Sequence, residues 1–492
     1  MQSYTELMTS DGIATLTDEA ALDQIAQLID LSNEPTRAAG TDRALGWCDE
    51  LAQRGISPIQ STLLDYFRAN AWANRQPKGR PNRAAVWSWE QPELQQQIFF
   101  LRRARSSPGF QDLDKLRQCQ IFTNLANQLD TAGRFVEALE SWTSALAIEP
   151  RFWMARGNRG RALWRYAASV YDAGHRNVLA LFAHRHLEAA TTPQPKDERF
   201  GHPEARASHD LTKKEIEKAV DLARIAASFE LDGHSMGRSE RERQYRQWCL
   251  SNDLFLNPLN DLGAHSIAAR DILSLPDFVT DLTEPPVLIG YFNQLVQEFV
   301  SSRWNLYEGT RTTSTHFSDR NVRIYNTLDY PAYGLAVEKV RTAYRTAYSI
   351  FDKIAYFLDY YMKLGIDPKP IYFRTVWREK NGAVVHPIRP EFEQSENWQF
   401  RGLFWLSKDL FDETFADVTE PDAKALHELR IHLEHKYVKV HEMLVRSRDP
   451  DAPPDPFVDS LAYSIRRTEL QDKTLRLLKL VRAALIYLSL VH

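Results

Sequence analysis

The sequence predicts an all-α protein, with an N-terminal array of helical repeats followed by a C-terminal four-helix bundle that carries a small inserted β-hairpin. Three observations support this fold class. Apolar residues recur at three- and four-residue intervals through the N-terminal part. One helix–turn–helix unit, from Cys119 to Pro150, has the spacing of a repeat. Long helical patterns fill the C-terminal third, interrupted by two alternating runs around Asn381-Gly382.

Length and composition bound the class of protein. The chain has 492 residues, which is too long for one ordinary core, and we expect domains at 1–190, 191–290 and 291–492. A hydrophobic fraction of 43% and a charged fraction of 26% are typical of a globular protein. The net charge of -4 excludes a global basic field, so any RNA binding must use a local patch.

The N-terminal array, predicted over roughly residues 20 to 190, is clearest in the unit from Cys119 to Pro150, which resembles a tetratricopeptide repeat (TPR). Gly133 separates its two helices and Pro150 closes it. The expected packing positions are Phe122, Leu125, Ala126, Leu129, Phe135, Ala138, Trp142 and Ala145. A single repeat cannot bury its own face, so neighbouring helix pairs must stack on it.

The later elements follow in order. The polar stretch 191–210 predicts a linker, with a helix resuming over Lys213–Phe229. Helices are then expected at Leu335–Leu364, Leu403–Phe411, Asp422–Leu444 and Ser460–Leu490. The alternating runs around Asn381-Gly382 predict a hairpin after the first of these.

Targeting and metal-binding signals are weak. The acidic N-terminus lacks the layout of a signal peptide, and charges at Arg476, Lys479 and Arg482 argue against a membrane span near the C-terminus. A cytoplasmic location without membrane contact is therefore expected. The three cysteines, Cys48, Cys119 and Cys249, are far apart and predict buried thiols. We expect no cofactor and no metal.

The strongest candidate for chemistry is the stretch Arg430 to Tyr437, RIHLEHKY, within a helical pattern. Arginine holds phosphate charge in a planar fork, and histidine exchanges a proton near neutral pH. Arg430 and His435 are therefore the predicted catalytic pair for a phosphodiester. His432, Glu434 and Tyr437 are possible accessory residues. Asp352 and Lys353, in the first long helix, are weaker candidates that either approach the cleft or form a structural pair. Lys436, Lys439, Arg446 and Arg448 could contact RNA phosphates, although a solvated face explains them equally well.

The spacing of the pair has a geometric consequence. Five positions on an ideal helix leave Arg430 and His435 roughly 140° apart in projection. Two copies facing each other across a two-fold axis would bring both residues to one groove, so we expect a homodimer through the C-terminal bundle. In the structural alternative, Arg430 simply pairs with Glu434 along the helix and the histidines are core or surface residues.

Several separate blocks, together with this motif, resemble a HEPN domain of the branch with N-terminal TPR-like repeats. The blocks are YFNQLVQEFVSSRWNLYEG (291 to 309), residues 326 to 361, FRGLFWLSKDL (400 to 410) and LRIHLEHKYVKV (429 to 440). The resemblance implies a helical-bundle dimer, and many such proteins are metal-independent endoribonucleases in toxin–antitoxin, antiviral and stress systems. It also implies that Arg430 and His435 line the dimer cleft.

Two positions qualify the resemblance. Many family members have a polar residue directly after the motif arginine, whereas this chain has Ile431. Some HEPN toxins carry a tyrosine two residues after the motif histidine, which partner nucleotidyltransferases adenylylate, and Tyr437 fits that position. The alternative for Tyr437 is a packing residue on the same helix face as Arg430.

The leading hypothesis is a metal-independent endoribonuclease that cleaves RNA in a HEPN dimer cleft. The alternative is a non-catalytic interaction protein, in which the bundle dimerises or binds RNA. In either case, a protein or peptide partner could occupy the TPR-like array.

Overall fold

The computed structural model describes residues 2–76, 87–192, 203–277, 285–312, 314–325, 327–366, 371–379, 387–411, 423–442 and 461–491. These residues divide into two compact units. The N-terminal unit comprises Met1–Phe229 and Glu393–Trp405, and the C-terminal unit comprises Glu230–Phe392, Leu406–Asp412 and Asp422–His492. The predicted domain boundaries at 190 and 290 stay a prediction. None of the helices in these ranges combines the length and apolar character needed to cross a membrane.

Successive helices of the N-terminal unit pack against one another. They are α1 (Tyr4–Thr9), α2 (Asp18–Leu31), α3 (Ala38–Ala52), α4 (Pro58–Arg75), α5 (Pro92–Ser106), α6 (Lys115–Thr131), α7 (Phe135–Ile148), α8 (Trp153–Ser169), α9 (Ala173–Thr191), α10 (Pro203–Ala219) and α11 (Leu222–Ser228). Helices α4 and α5, α6 and α7, and α8 and α9 form hairpins. The helix pair of the predicted repeat is thus present as α6 and α7, with Ala126, Ala138 and Trp142 buried between neighbours.

The predicted linker over 191–210 is wrong in its second half. Residues 193–202 lie outside the described residues, but α10 already begins at Pro203. Proline suits the first turn of a helix, and Glu204 adds a favourable charge there. Pro203 and Glu204 therefore mark the start of a helix within this polar stretch.

The C-terminal unit contains α12 (Glu240–Ser251), α13 (Val287–Arg311), α14 (Leu335–Met362), α15 (Pro390–Glu393), α17 (Ala423–His435) and α18 (Arg467–Ser489). Its bundle consists of α13, α14, α17 and α18, with α14 packed against the other three. Helix α16 (Trp398–Phe411), which the sequence analysis counted in the bundle, contributes to both units. The prediction of a mainly helical chain is confirmed.

Two predicted helix limits are wrong, and both errors involve one small sheet. The motif helix ends at His435 and not at Leu444, and β1 (Tyr437–His441) follows at once. The last helix begins at Arg467 because Ala462–Arg466 form β2, which pairs with β1 in parallel. Alternating Val438 and Val440 are β-branched and favour a strand, so tertiary pairing overrides the helical pattern here.

The predicted hairpin is only partly described. Asn381 and Gly382 lie outside the described residues. On either side of them, Arg378 and Ile388 form an isolated antiparallel bridge. The segment before this bridge, residues 373–377, is a series of turns, so it is not the extended strand that its alternation suggested.

Candidate active site

Helix α17 is held in the C-terminal unit by its apolar side. Leu426 and Leu429 are fully buried. The hydroxyl of the buried Tyr344, on α14, donates a hydrogen bond to the carbonyl oxygen of Leu426. This contact fixes the first turns of α17 against α14. Arg430 and Glu434, one helical turn apart, are partly exposed.

Arg430 is held by three neighbours. Its Nε donates to both carboxylate oxygens of Glu434 at 3.2 Å, and its Nη2 donates to Asp352 Oδ2 at 3.2 Å. The guanidinium carbon lies 4.4 Å from the centre of the buried Tyr348 ring. Burial by itself lowers the pKa of Arg430, but the electrostatic effect of these neighbours outweighs burial and raises the pKa. The guanidinium is therefore charged and fixed in orientation.

Asp352 connects this arginine to a second segment. Its Oδ1 accepts a hydrogen bond from the backbone N–H of Phe373 at 3.2 Å. Burial raises the pKa of the Asp352 carboxyl, and the hydrogen bond from Phe373 and the charge of Arg430 only partly oppose this effect. The neighbouring Lys353 pairs instead with Glu298 on α13. Of these two candidates on α14, Asp352 therefore lies at the pocket beside Arg430, and Lys353 does not pair with it.

An open pocket of about 210 Å³ lies beside these groups. It is lined by Arg430, Ile431, Glu434 and His435 from α17 and by Asp352, Tyr372 and Arg374. Tyr372 and Arg374 were missed from the sequence. The sequence feature that could have indicated them is the alternation of apolar and polar residues over 371–374. Ile371 and Phe373 are buried there, while Tyr372 and Arg374 are exposed.

Arg430 and His435 line the same pocket of a single chain, although an ideal helix separates them by roughly 140°. His435 is the last residue of α17, and the pocket extends around this end of the helix. Its side chain is 73% exposed, and its Nε2 lies 3.8 Å from Glu434 Oε2, beyond hydrogen-bonding distance. Both residues therefore line one pocket of a single chain, whereas the groove shared by two copies stays a prediction.

The other two predicted accessory residues lie outside the lining. His432 donates from Nδ1 to the carbonyl oxygen of Glu428 at 2.8 Å, and its ring lies 5.3 Å from that of Tyr463 on β2. Tyr437 is 43% exposed and begins β1. It cannot be a packing residue on the helix of Arg430, so that alternative is wrong, whereas its modification stays a prediction.

The basic residues after the motif have different environments. Lys439 is buried, and its Nζ donates to Asp329 Oδ2 at 2.7 Å, so it is not available to RNA. Lys436 is exposed, whereas Arg446 and Arg448 lie outside the described residues. Arg374 is exposed on the pocket and forms no ion pair with any described residue. Over the described ranges, no group of three or more His, Cys, Asp or Glu is arranged to hold a metal ion.

One protein family matches the C-terminal part of the chain. Residues 279–492 match the family described as LA2681-like HEPN. This match contains the bundle, both strands and every residue that lines the pocket. No curated protein and no solved structure matches the chain.

Proposed function

We propose that this chain, whose C-terminal part is an LA2681-like HEPN domain, is a metal-independent endoribonuclease that cleaves RNA with Arg430 and His435. The observation that carries the proposal is that both residues line one open pocket of the domain. Arg374 adds a second exposed cation to this pocket. A pocket with two guanidinium groups and one imidazole suits a phosphodiester substrate.

In the proposed reaction, His435 accepts the proton of a ribose 2′-hydroxyl, whose oxygen attacks the adjacent phosphorus. The bond from phosphorus to the 5′-oxygen breaks, which leaves a 2′,3′-cyclic phosphate and a 5′-hydroxyl. The leaving oxygen takes its proton from water or from the His435 of a second copy. Arg430 stabilises the negative charge that grows on the phosphate oxygens.

The pairing of Arg430 with two carboxylates is compatible with this role. A guanidinium has five N–H donors, and the bonds to Glu434 and Asp352 use only Nε and Nη2. Arg430 therefore keeps donors for a phosphate while its orientation is already fixed, and such preorganisation lowers the cost of stabilising a transition state.

We also propose that the active form is a homodimer. His435 is mostly exposed, and the pocket that it lines is open to solvent. A second copy would exclude water from the pocket and strengthen every charge interaction in it. A two-fold arrangement would also place one histidine as base and the other as acid.

The test is cleavage of a labelled RNA by the purified full chain in EDTA. Arg430→Ala and His435→Ala should each lower kcat by about 100-fold or more. His432→Ala is the matched control, because this histidine lies on the same helix outside the pocket lining. Cleavage that both pocket variants leave intact would remove the proposal.

A second candidate is a non-catalytic RNA-binding or dimerising module whose N-terminal repeats bind a protein or peptide. Two features of the site favour it. Asp352 and Glu434 already neutralise Arg430, and the apolar Ile431 lines the pocket where many relatives have a polar residue. This candidate predicts that the wild-type chain binds RNA without cutting it.

The biological setting that we propose is toxin, stress or antiviral defence. Overexpression should then arrest growth, and His435→Ala should relieve the arrest. A cytoplasmic location and a nucleotidyltransferase that modifies Tyr437 belong to the same proposal. Growth arrest that persists in the His435→Ala variant would contradict a nuclease toxin.

A further inference from the structure

The connection between α13 and α14 exposes an unusual number of large apolar side chains. We call residues 316–325 and 327–333 the aromatic loop. Isolated exposed apolar residues are ordinary, but a contiguous group marks a binding surface. The exposed residues are Phe317, Val322, Ile324, Tyr325, Leu328, Tyr330 and Tyr333, and the fractions for Phe317, Tyr325 and Tyr330 exceed 70%.

The aromatic loop is anchored to the rest of the unit by its acidic residues and backbone. Asp319 Oδ2 accepts the backbone N–H of Leu335 at 2.9 Å, at the start of α14. Asp329 accepts from the buried Lys439 of β1, and the N–H of Ala332 donates to the carbonyl oxygen of Val440 at 2.6 Å. Both carboxylates are therefore occupied within the fold.

The backbone of the loop is strained at two bulky residues. Leu328 has a φ of 69° and Tyr330 a φ of 50°, in the left-handed region that bulky residues rarely adopt. Such conformations persist only where surrounding contacts impose them, and they concentrate at functional sites. Asp329, which lies between these two residues in the chain, is bonded to the buried Lys439.

The cations of the loop are not neutralised. Arg320 and Arg323 are exposed and form no ion pair with any described residue. The guanidinium carbon of Arg323 lies 5.4 Å from the centre of the Tyr325 ring. Aromatic faces interleaved with free arginines are the chemistry that binds unpaired nucleic-acid bases, because every base has a face that can stack.

The loop also lies on the strand that leaves the candidate active site. His435 ends α17, and β1 runs from Tyr437 to the contact between Val440 and Ala332. Five extended residues cover at most about 17 Å. Bases of one RNA strand could therefore stack on the loop while a phosphate a few nucleotides away occupies the pocket.

We propose that the aromatic loop is a stacking platform for unpaired bases of RNA, so that the substrate is single-stranded or looped RNA. This inference rests on the proposed nuclease function, whose substrate class it specifies. Paired bases are covered by their neighbours in a duplex, so a duplex of the same sequence should bind less well.

The experiment measures fluorescence anisotropy of a short labelled, unstructured RNA with the full-length His435→Ala chain, which binds without cutting. Tyr325→Ala and Tyr330→Ala should each weaken binding about tenfold, the scale of one lost stack. Tyr325→Phe keeps the ring and should stay within about twofold. Tyr360→Ala is the matched control, because this tyrosine is 54% exposed on α14 outside the loop.

Unchanged RNA affinity in both alanine variants would overturn the platform. A change of oligomeric state in sedimentation, with RNA affinity unchanged, would also overturn it, because a second copy would then cover the loop. The two proposals fail separately. Cleavage that depends on His435 but not on the tyrosines removes the platform alone, whereas tyrosine-dependent binding without cleavage by the wild-type chain removes the nuclease alone.

Discussion

Replacing Asp352 by asparagine tests whether the Asp352 carboxylate orients Arg430. The carboxylate accepts two hydrogen bonds, from the N–H of Phe373 through Oδ1 and from Arg430 Nη2 through Oδ2, each at 3.2 Å. An asparagine amide has one oxygen and one NH₂ group, so it can accept only one of these bonds. In either orientation of the amide, its NH₂ group faces one of the two N–H donors, so one of the two hydrogen bonds is replaced by a repulsive contact. Among the described residues, Arg430 then keeps Glu434 as its one carboxylate partner.

The expected loss of activity follows from the energy of that contact. A hydrogen bond to a charged group contributes about 1.5–3 kcal/mol. Since about 1.4 kcal/mol is tenfold in rate, kcat for RNA cleavage should fall roughly 10- to 150-fold if this energy holds the guanidinium in its reactive position. KM should change little, because Arg374 and the pocket shape remain. The substitution probes a positioning residue, which makes no contact with the phosphate itself.

The assay is steady-state cleavage of a labelled RNA in EDTA by wild-type, Asp352→Asn and Glu338→Gln proteins. Glu338 lies on the same helix, pairs with Arg341 and is half exposed, so its substitution controls for loss of one negative charge on α14. Normal kcat in Asp352→Asn, in a preparation where His435→Ala is inactive, would show that the carboxylate does not orient Arg430.

Three further predictions concern stability. Burial raises the pKa of Asp352, so the native state binds the proton of this carboxyl more tightly than the unfolded chain does. The free-energy cost of ionising Asp352 in the native state therefore grows as pH rises above about 4. In urea unfolding, the free energy of unfolding of Asp352→Asn should rise relative to that of the wild type between about pH 4 and 7. A constant difference would contradict this. Arg482, which is 2% exposed, binds Asp261 at 2.6 Å and the carbonyl oxygens of Phe255 and Asn257. In denaturant unfolding, Arg482→Ala should lower the free energy of unfolding by about 3–5 kcal/mol, and adding Asp261→Asn should recover part of this loss. Unchanged stability of Arg482→Ala would show that the ion pair contributes nothing. Gly133 has a φ of 87°, and a Cβ at this position would lie 2.5 Å from the carbonyl oxygen of Trp398. Gly133→Ala should therefore lower the free energy of unfolding by about 1–3 kcal/mol. Gly46→Ala is the control, because a Cβ there meets open space and should not lower it.

Much of the fold could be predicted from local patterns. The helix at Leu335–Met362 was predicted to within two residues, because its apolar stripe and its left-handed end at Lys363 are local features. The helix pair around Gly133 was equally readable, since a positive φ at a turn between two helices favours glycine. The family of the C-terminal part was also correct, because several separated blocks carried it.

The candidate site was only half readable. Arg430 and His435 stand close together in the chain, and their side-chain chemistry suggested a phosphodiester without any structure. Asp352 is 78 residues from Arg430 in the sequence, and an isolated aspartate on a helix carries no sign of its partner. Arg374 and Tyr372 lie in a segment whose alternation suggested a strand, although it forms turns.

The sequence alone determined the helical class and the family that the C-terminal part resembles, and it singled out Arg430 and His435 as candidates, because periodicity and side-chain chemistry are properties of neighbouring residues. Only the tertiary structure decided that α17 stops at His435 and that β1 follows. Strand pairing with Ala462–Arg466 is a contact between distant segments, so the limits of Tyr437–His441 as a strand could not be predicted from the neighbouring residues alone. The same long-range packing brings Asp352 to Arg430 and carries the aromatic loop to the strand beside the pocket.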